Sequence, residues 1–218
     1  MTVAQLSAQE LFQAAYENRY TWERTFPGYT ADVVLKLDQQ EFKGTVRVNP
    51  DLKAEVFDIE DEQAQKLVHG QLWEIAIHRV RRSFEETHSK NTFAYGKAHE
   101  AGAVEILMGG KSEGDRYEVH NGEVSLVHRH MHGVVITINT FSTHDTGEGY
   151  LPYRYDSVYH DPKTGEQKGG KTVFEDEYEQ VGGFSILNRR LMETDVNGKT
   201  STQEFLFSNI QLLLPNAA

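Results

Sequence analysis

The most visible group of chemically capable side chains is the run His128-Arg129-His130-Met131-His132. Side chains alternate along a strand, so an extended run turns the three imidazoles one way and Arg129 and Met131 the other. A His-x-His pair on a strand can chelate one metal ion. All three cannot, because His128 and His132 would lie about 13 Å apart on an extended strand, while a zinc–nitrogen bond is about 2.0–2.1 Å. The metal candidates are therefore His128 and His130, with a third ligand sought at His120 or His144. Facing inward, the same imidazoles could serve as polar contacts or axial ligands for a tetrapyrrole. Facing outward, they are plain surface residues. No His-Glu-x-x-His motif occurs.

Other reaction chemistries lack their residues. Cysteine is absent, which excludes disulfides, thiolate-bound zinc or iron–sulfur sites and thiol chemistry. No Gly-x-Ser-x-Gly elbow is present. Gly169-Gly170-Lys171-Thr172 mimics the end of a phosphate-binding loop. It lacks the first glycine and precedes a strand, so it reads as a flexible hairpin turn. Glu175-Asp176-Glu177 and Glu179 read as a solvated strand face that blocks edge pairing. No catalytic residue is assigned, and no cofactor is named by the sequence.

The aromatic residues point elsewhere. Tyr20, Trp22, Phe26 and Tyr29 cluster in sequence, and Tyr153, Tyr155 and Tyr159 share a face of one expected strand by parity. Met108, Met131 and Met192 add adaptable apolar surface. Such a lining suits a large flat or chain-like apolar ligand, and the same residue types also build an ordinary core. The expected ligand site is an apolar pocket drawing on Trp22, Trp73, Met108, Tyr153 and Tyr155. Arg82, in the basic stretch Arg79-Val80-Arg81-Arg82, is its candidate anchor for a carboxylate or an acidic partner. The same cations would complement a helix dipole.

The elements that must position these residues follow from pattern and charge. The 218 residues carry 22 Lys and Arg against 33 Asp and Glu, a net charge of −11. That balance argues against nucleic acid and against anionic lipid surfaces. The length fits a single domain over 1–218. Ser7 and Glu10 form a capping box for a first helix from about Ala8 to Tyr20. Alternation then predicts a three-strand meander through Val33–Leu37, Phe42–Val48 and Lys53–Phe57, with a turn at Gln39-Gln40. Asp61 to Phe84 reads as one helix, or two broken at Gly70, with Leu67, Trp73, Ile77 and Val80 near helical spacing. Beyond Ser89 strands return, near Val104–Met108, Tyr117–His120, Glu123–Met131, Val134–Ser142, Leu151–His160, Lys171–Gln180, Phe184–Asp195 and Thr200–Leu214. The turns Asn121-Gly122, Asp161–Gly165, Gly182-Gly183 and Asn197-Gly198 separate them. The fold expected is α+β: a large curved antiparallel sheet of about ten strands, a half-barrel with helices covering its concave face. A cavity between them is the physical hint of function.

The segments Tyr20–Tyr29, Gly44–Val48, Tyr150–Tyr155 and Glu204–Asn209 resemble a family of uncharacterised cyanobacterial and plastid proteins. The element order also looks like the half-barrel of periplasmic lipoprotein carriers and related lipid-binding proteins. These resemblances imply a soluble carrier or sensor for an apolar or amphipathic small molecule: a lipid, a carotenoid or a tetrapyrrole. The alternatives are a protein-interaction or assembly factor associated with photosynthesis, and a His-dependent enzyme acting on a pigment or metal substrate. Met1–Glu10 lacks a basic and an apolar region, so no secretory signal is expected. The apolar runs are too short to span a membrane. Cytoplasmic residence is expected, or the plastid stroma in plant relatives. No protein partner is specified.

Overall fold

The computed structural model describes residues 6–99 and 102–213. The last residue of the strand expected over Thr200–Leu214, and the first five of Met1–Glu10, lie outside them. Three helices and twelve strands follow one another in the order α1 (Ala8–Glu17), β1 (Tyr29–Leu37), β2 (Gln40–Val48), β3 (Ala54–Phe57), α2 (Glu62–Arg79), α3 (Phe84–His88), β4 (Asn91–Ala98), β5 (Val104–Gly110), β6 (Arg116–His120), β7 (Glu123–Met131), β8 (Val134–Asp145), β9 (Tyr150–His160), β10 (Gln167–Val181), β11 (Phe184–Val196) and β12 (Lys199–Leu212). The strands hydrogen-bond in the order β3-β2-β1-β12-β11-β10-β9-β8-β7-β6-β5-β4. This is the expected α+β fold with a large antiparallel sheet. The sheet is open, with β3 and β4 as its edges.

The residues divide into two compact units. The first holds 1–20, 82–173 and 195–197, and so contains α1, α3 and β4 to β9. Its core is built by Phe12 and Ala15 of α1, Phe84 of α3, and Ile106, Met108, Tyr117, Val119 and Val124 of the strands. The capping box starts α1 as expected: the Ser7 hydroxyl accepts the Glu10 amide at 3.2 Å, and Glu10 accepts the Ser7 amide at 2.7 Å. The helix stops at Glu17, three residues short of the expected Tyr20. There the backbone turns to a strand: the Tyr150 amide donates to Asn18 O at 3.0 Å, and the Tyr20 amide to Tyr150 O at 2.9 Å. Gly149 permits this approach, since a Cβ there would lie 2.4 Å from Asn18 O.

The second unit holds 21–81, 174–194 and 198–218. Its core takes Tyr29, Val33 and Leu35 from β1, Val46 and Val48 from β2, Phe205 and Phe207 from β12, and Val68, Leu72 and Ile75 from α2. The Asp61 carboxylate caps α2 by accepting the Ala64 amide at 2.8 Å. The helix runs unbroken through Gly70, which has open space around it. Its buried stripe is Ala64, Val68, Leu72, Ile75, Ala76 and Arg79. The expected stripe through Trp73 and Ile77 therefore faces outward: Trp73 is 58% exposed and Ile77 37%. Apolar residues occupy two faces of this helix, and the one that packs carries the small Ala64 and Ala76.

Four more expectations are corrected. Phe84–His88 is a separate helix with its own capping box, Ser83 and Glu86. Strand β4 lies in a stretch expected to precede the returning strands. The first hairpin turns at Asp38-Gln39 rather than Gln39-Gln40, with Asp38 at φ +50°. Gly169 and Gly170 lie within β10, not in a turn before it.

Candidate functional site

The strand registers of the first unit align two short rows of polar side chains. Arg116 of β6 is opposite His128 of β7, which is opposite Thr137 of β8. In the next row His130 is opposite Val135, which is opposite His160 of β9. Side chains alternate, so these residues point away from the face that Tyr117, Val119 and Val124 present to α1. After His160 the chain turns tightly. The Asp161 carboxylate accepts the amides of Lys163 at 2.8 Å and Thr164 at 3.2 Å, and Gly165 adopts φ +72°. The turn stands beside the two rows and completes a groove of about 400 Å³. Arg116, His128, Val135, Thr137, His160, Asp161, Pro162 and Gly165 line it.

Each polar group has a defined environment. His128 Nδ1 lies 2.9 Å from Thr137 Oγ1. Burial, the Arg116 guanidinium and His130 hold its ring below the usual imidazole range. Arg116 donates from Nη1 to Glu105 Oε1 at 3.2 Å. Glu105 in turn is held below the usual carboxylate range by the Lys97 amide and by Arg116. The Lys168 ammonium, 2.9 Å away, and the turn amides lower the Asp161 pKa to about 2. Deeper in the same unit, the buried Asp156 carboxylate meets Lys171 Nζ at 2.5 Å and accepts from Asn139 at 2.8 Å.

The histidines separate into different roles. The rings of His128 and His130 stand edge to face, 5.8 Å apart. His130 is held by buried Asp115, which lies 2.8 Å from its amide and 3.1 Å from its Nδ1. His132 does not share their strand face. It forms the two-residue turn His132-Gly133 between β7 and β8, with both residues at positive φ. A turn of that kind matches the twist of the paired strands. Among the described residues, no three His, Cys, Asp or Glu side chains are grouped to hold a metal ion.

The residues expected to line an apolar pocket are dispersed. Trp22 is buried in the second unit, stacked on Phe26 at 4.1 Å, and its indole N–H donates to Ser185 O at 3.2 Å. Trp73 lies exposed on α2 of that unit. Met108 belongs to the aromatic core of the first unit. Tyr153 and Tyr155 lie on β9 of the same unit. The pairing skips from Ser142–Arg154 to Thr143–Pro152, so Tyr153 is an extra residue there, with its ring 5.9 Å from His144. Arg82 is exposed in the segment that leads into α3.

A second polar constellation lies beneath α2. Asp176, expected on a solvated strand face, is 1% exposed. Arg190 of β11 grips it with two bonds, at 2.8 and 2.6 Å, and donates to Gln71 of α2 at 2.9 Å. Arg79 donates to the Tyr178 hydroxyl at 3.2 Å. Burial drives the Tyr178 pKa far up, so its hydroxyl stays protonated. These charges lie 14 residues apart on separate strands, or on a helix about a hundred residues earlier. No local pattern marks them as partners. The groove depends on the His132-Gly133 turn, where the sequence pattern predicts a continuing strand; that turn fixes the register that sets Thr137 opposite His128.

An open antiparallel sheet of twelve strands with three helices defines the class. The chain belongs to the family described as protein of unknown function (DUF3386), whose model matches residues 3–213. No curated protein matches it. Among solved structures, a LolA superfamily protein from Nitrosomonas europaea is similar over 97% of this chain and 96% of that chain, with 12% identity and a TM-score of 0.37. Among the described residues, no helix is long and apolar enough to cross a membrane.

Proposed function

We propose that this chain is a non-catalytic binding protein for an amphipathic small molecule of the lipid, carotenoid or tetrapyrrole kind. The groove of the first unit carries this reading. Its volume of about 400 Å³ falls in the range of small-molecule sites. Its lining sets apolar Val135 and Pro162 beside Arg116, His128, Thr137 and His160. Glu105 pairs with Arg116 on one side, and the buried Asp156 of the same unit is matched by Lys171. Tyr153 and Tyr155, on β9 of the same unit, stay as candidate apolar contacts for the rest of such a ligand, whereas Trp22 and Met108 act through the cores they fill.

Native mass spectrometry of the chain purified from its own host tests the reading. A small molecule retained by the wild type and lost in Thr137→Trp, which fills the groove, is the expected result. No retained mass, together with no rise in Tm on adding palmitate, a carotenoid or haem, would overturn it. A protein-interaction role is the second reading, favoured by the exposure of Trp73 and Ile77 one helical turn apart on α2. It expects a protein that co-purifies with the wild type and is lost when both residues become Ser.

A further inference from the structure

The groove has an imbalance between hydrogen-bond donors and acceptors. Its one carboxylate, Asp161, is turned into its own loop, where two amides and the Lys168 ammonium already satisfy it. Arg116 uses one of its five N–H donors on Glu105. His128 uses Nδ1 on Thr137, which leaves Nε2 for the groove. The His160 imidazole has no hydrogen bond or ion pair among the described residues. The spare donors are those of the Arg116 guanidinium, and each of the two imidazoles adds a ring nitrogen without a protein partner, all within two neighbouring rows of the sheet.

We propose that the groove binds the anionic end of its ligand, a carboxylate or a phosphate, between Arg116, His128 and His160. The inference rests on the binding-protein reading and names the chemistry of the same site. A planar guanidinium anchored on one side by Glu105 presents its other edge in the geometry that suits two oxygens. In the tautomer this site requires, the Thr137 hydroxyl, 2.9 Å from His128 Nδ1, is the donor of that pair and the ring's single proton sits on Nε2, facing the anion. Val135 lies between His130 and His160 in the register and gives the ligand's first carbons an apolar contact. An uncharged ligand of equal length would leave the Arg116 charge without a new partner, and a cation would meet it directly.

The test titrates the full chain with four probes: laurate, dodecyl phosphate, dodecanol and inorganic phosphate. The imidazole signals of His128 and His160 are followed by NMR, with His69 on α2 as the silent reference. Laurate and dodecyl phosphate should bind at least about tenfold tighter than dodecanol and shift both groove imidazoles. Arg116→Gln and His128→Gln should each bring the laurate-to-dodecanol affinity ratio most of the way to one. Saturation by inorganic phosphate alone would identify a free anion as a sufficient ligand, and silence with it would require the attached chain. Equal binding of laurate and dodecanol, or unchanged preference in both variants, would overturn the anion site and leave the binding-protein reading standing. Binding of inorganic phosphate alone, lost in Arg116→Gln, would keep the anion site and overturn the amphipathic ligand. No binding by any probe would overturn both.

Discussion

Helices α1 and α2 both rest on antiparallel strands, but their contacts differ in kind. Under α1 the contact is made of rings. Phe12 lies 4.6 Å from Tyr117, 5.3 Å from His88, 5.7 Å from Phe93 and 6.1 Å from Phe84, mostly tilted or edge to face. Under α2, apolar packing by Val68 and Leu72 is joined by the buried pair of Arg190 and Asp176, with Gln71 and Glu74 reaching down from the helix. Ring packing gains energy from area and geometry and tolerates some sliding. A buried ion pair recovers its desolvation cost only at one geometry, so it contributes little net stability but penalises any other placement strongly. The comparison teaches that the two helices are fixed by different means: α1 by bulk, α2 by position.

The largest break in that comparison should come from Asp176→Leu. It leaves the Arg190 guanidinium buried without its carboxylate, at an expected loss of about 3–5 kcal/mol. Adding Arg190→Met should restore most of the loss, because an apolar pair of similar volume removes both charges. Urea unfolding of the single and double variants, with amide exchange of α2 as the local readout, checks both. If the double variant is as unstable as the single, position is not what the pair supplies.

Phe12→Ala tests the other helix. The side chain is 1% exposed and its removal should cost about 3–4 kcal/mol, with no compensating second substitution available. Exchange protection in α1 should fall first.

A pH effect of slightly smaller size is expected within the same ring cluster. Burial among the aromatic rings, assisted by Arg129 and Arg19, lowers the His88 pKa from 6.5 to about 4. Between these values the unfolded chain binds the proton that the folded chain refuses, so stability falls as pH drops from 6.5 to 4. The full difference is about 3 kcal/mol. His88→Phe should flatten that slope while keeping the ring contacts. An unchanged slope would place the acid sensitivity elsewhere, for instance at the carboxylates.

The smallest effect belongs to the helix start. Ser7→Ala removes the hydroxyl that accepts the Glu10 amide and should cost about 1 kcal/mol, read as a small drop in Tm.

The first helix start was legible in sequence because capping is local: Ser7 and Glu10 need only three residues of separation. The hairpins were legible for the same reason, since Asn121-Gly122 and Asn197-Gly198 fix both turn and register. Strand β4 was not, because Asn91–Ala98 lies at the sheet edge and alternates weakly, with Tyr95 and Gly96 in its second half. The outward turn of Trp73 was also hidden. Spacing alone ranks a tryptophan as core, while the helix side that packs also meets Arg190, far away in the chain, through Gln71 and Glu74. For the groove, His-x-His spacing singled out His128, as a metal candidate. Arg116 and His160 became its neighbours only through the pairing of four strands, and periodicity within one strand carries no such information.

The pairing of β1 with β12 sets Tyr29 opposite Leu212 and Leu37 opposite Gln203. Residues near the two ends of the chain thus complete one ladder. During synthesis, β1 emerges from the ribosome early and its inner side chains, Tyr29, Val33 and Leu35, have only β2 beside them. The strand that closes the other side, β12, follows every other described element in the chain. For most of translation the nascent polypeptide therefore displays an apolar, unpaired strand edge, the kind of surface that chaperones hold and that seeds aggregation. Loop closure over so long a span is also slow. This ladder can close only after β12 has been made.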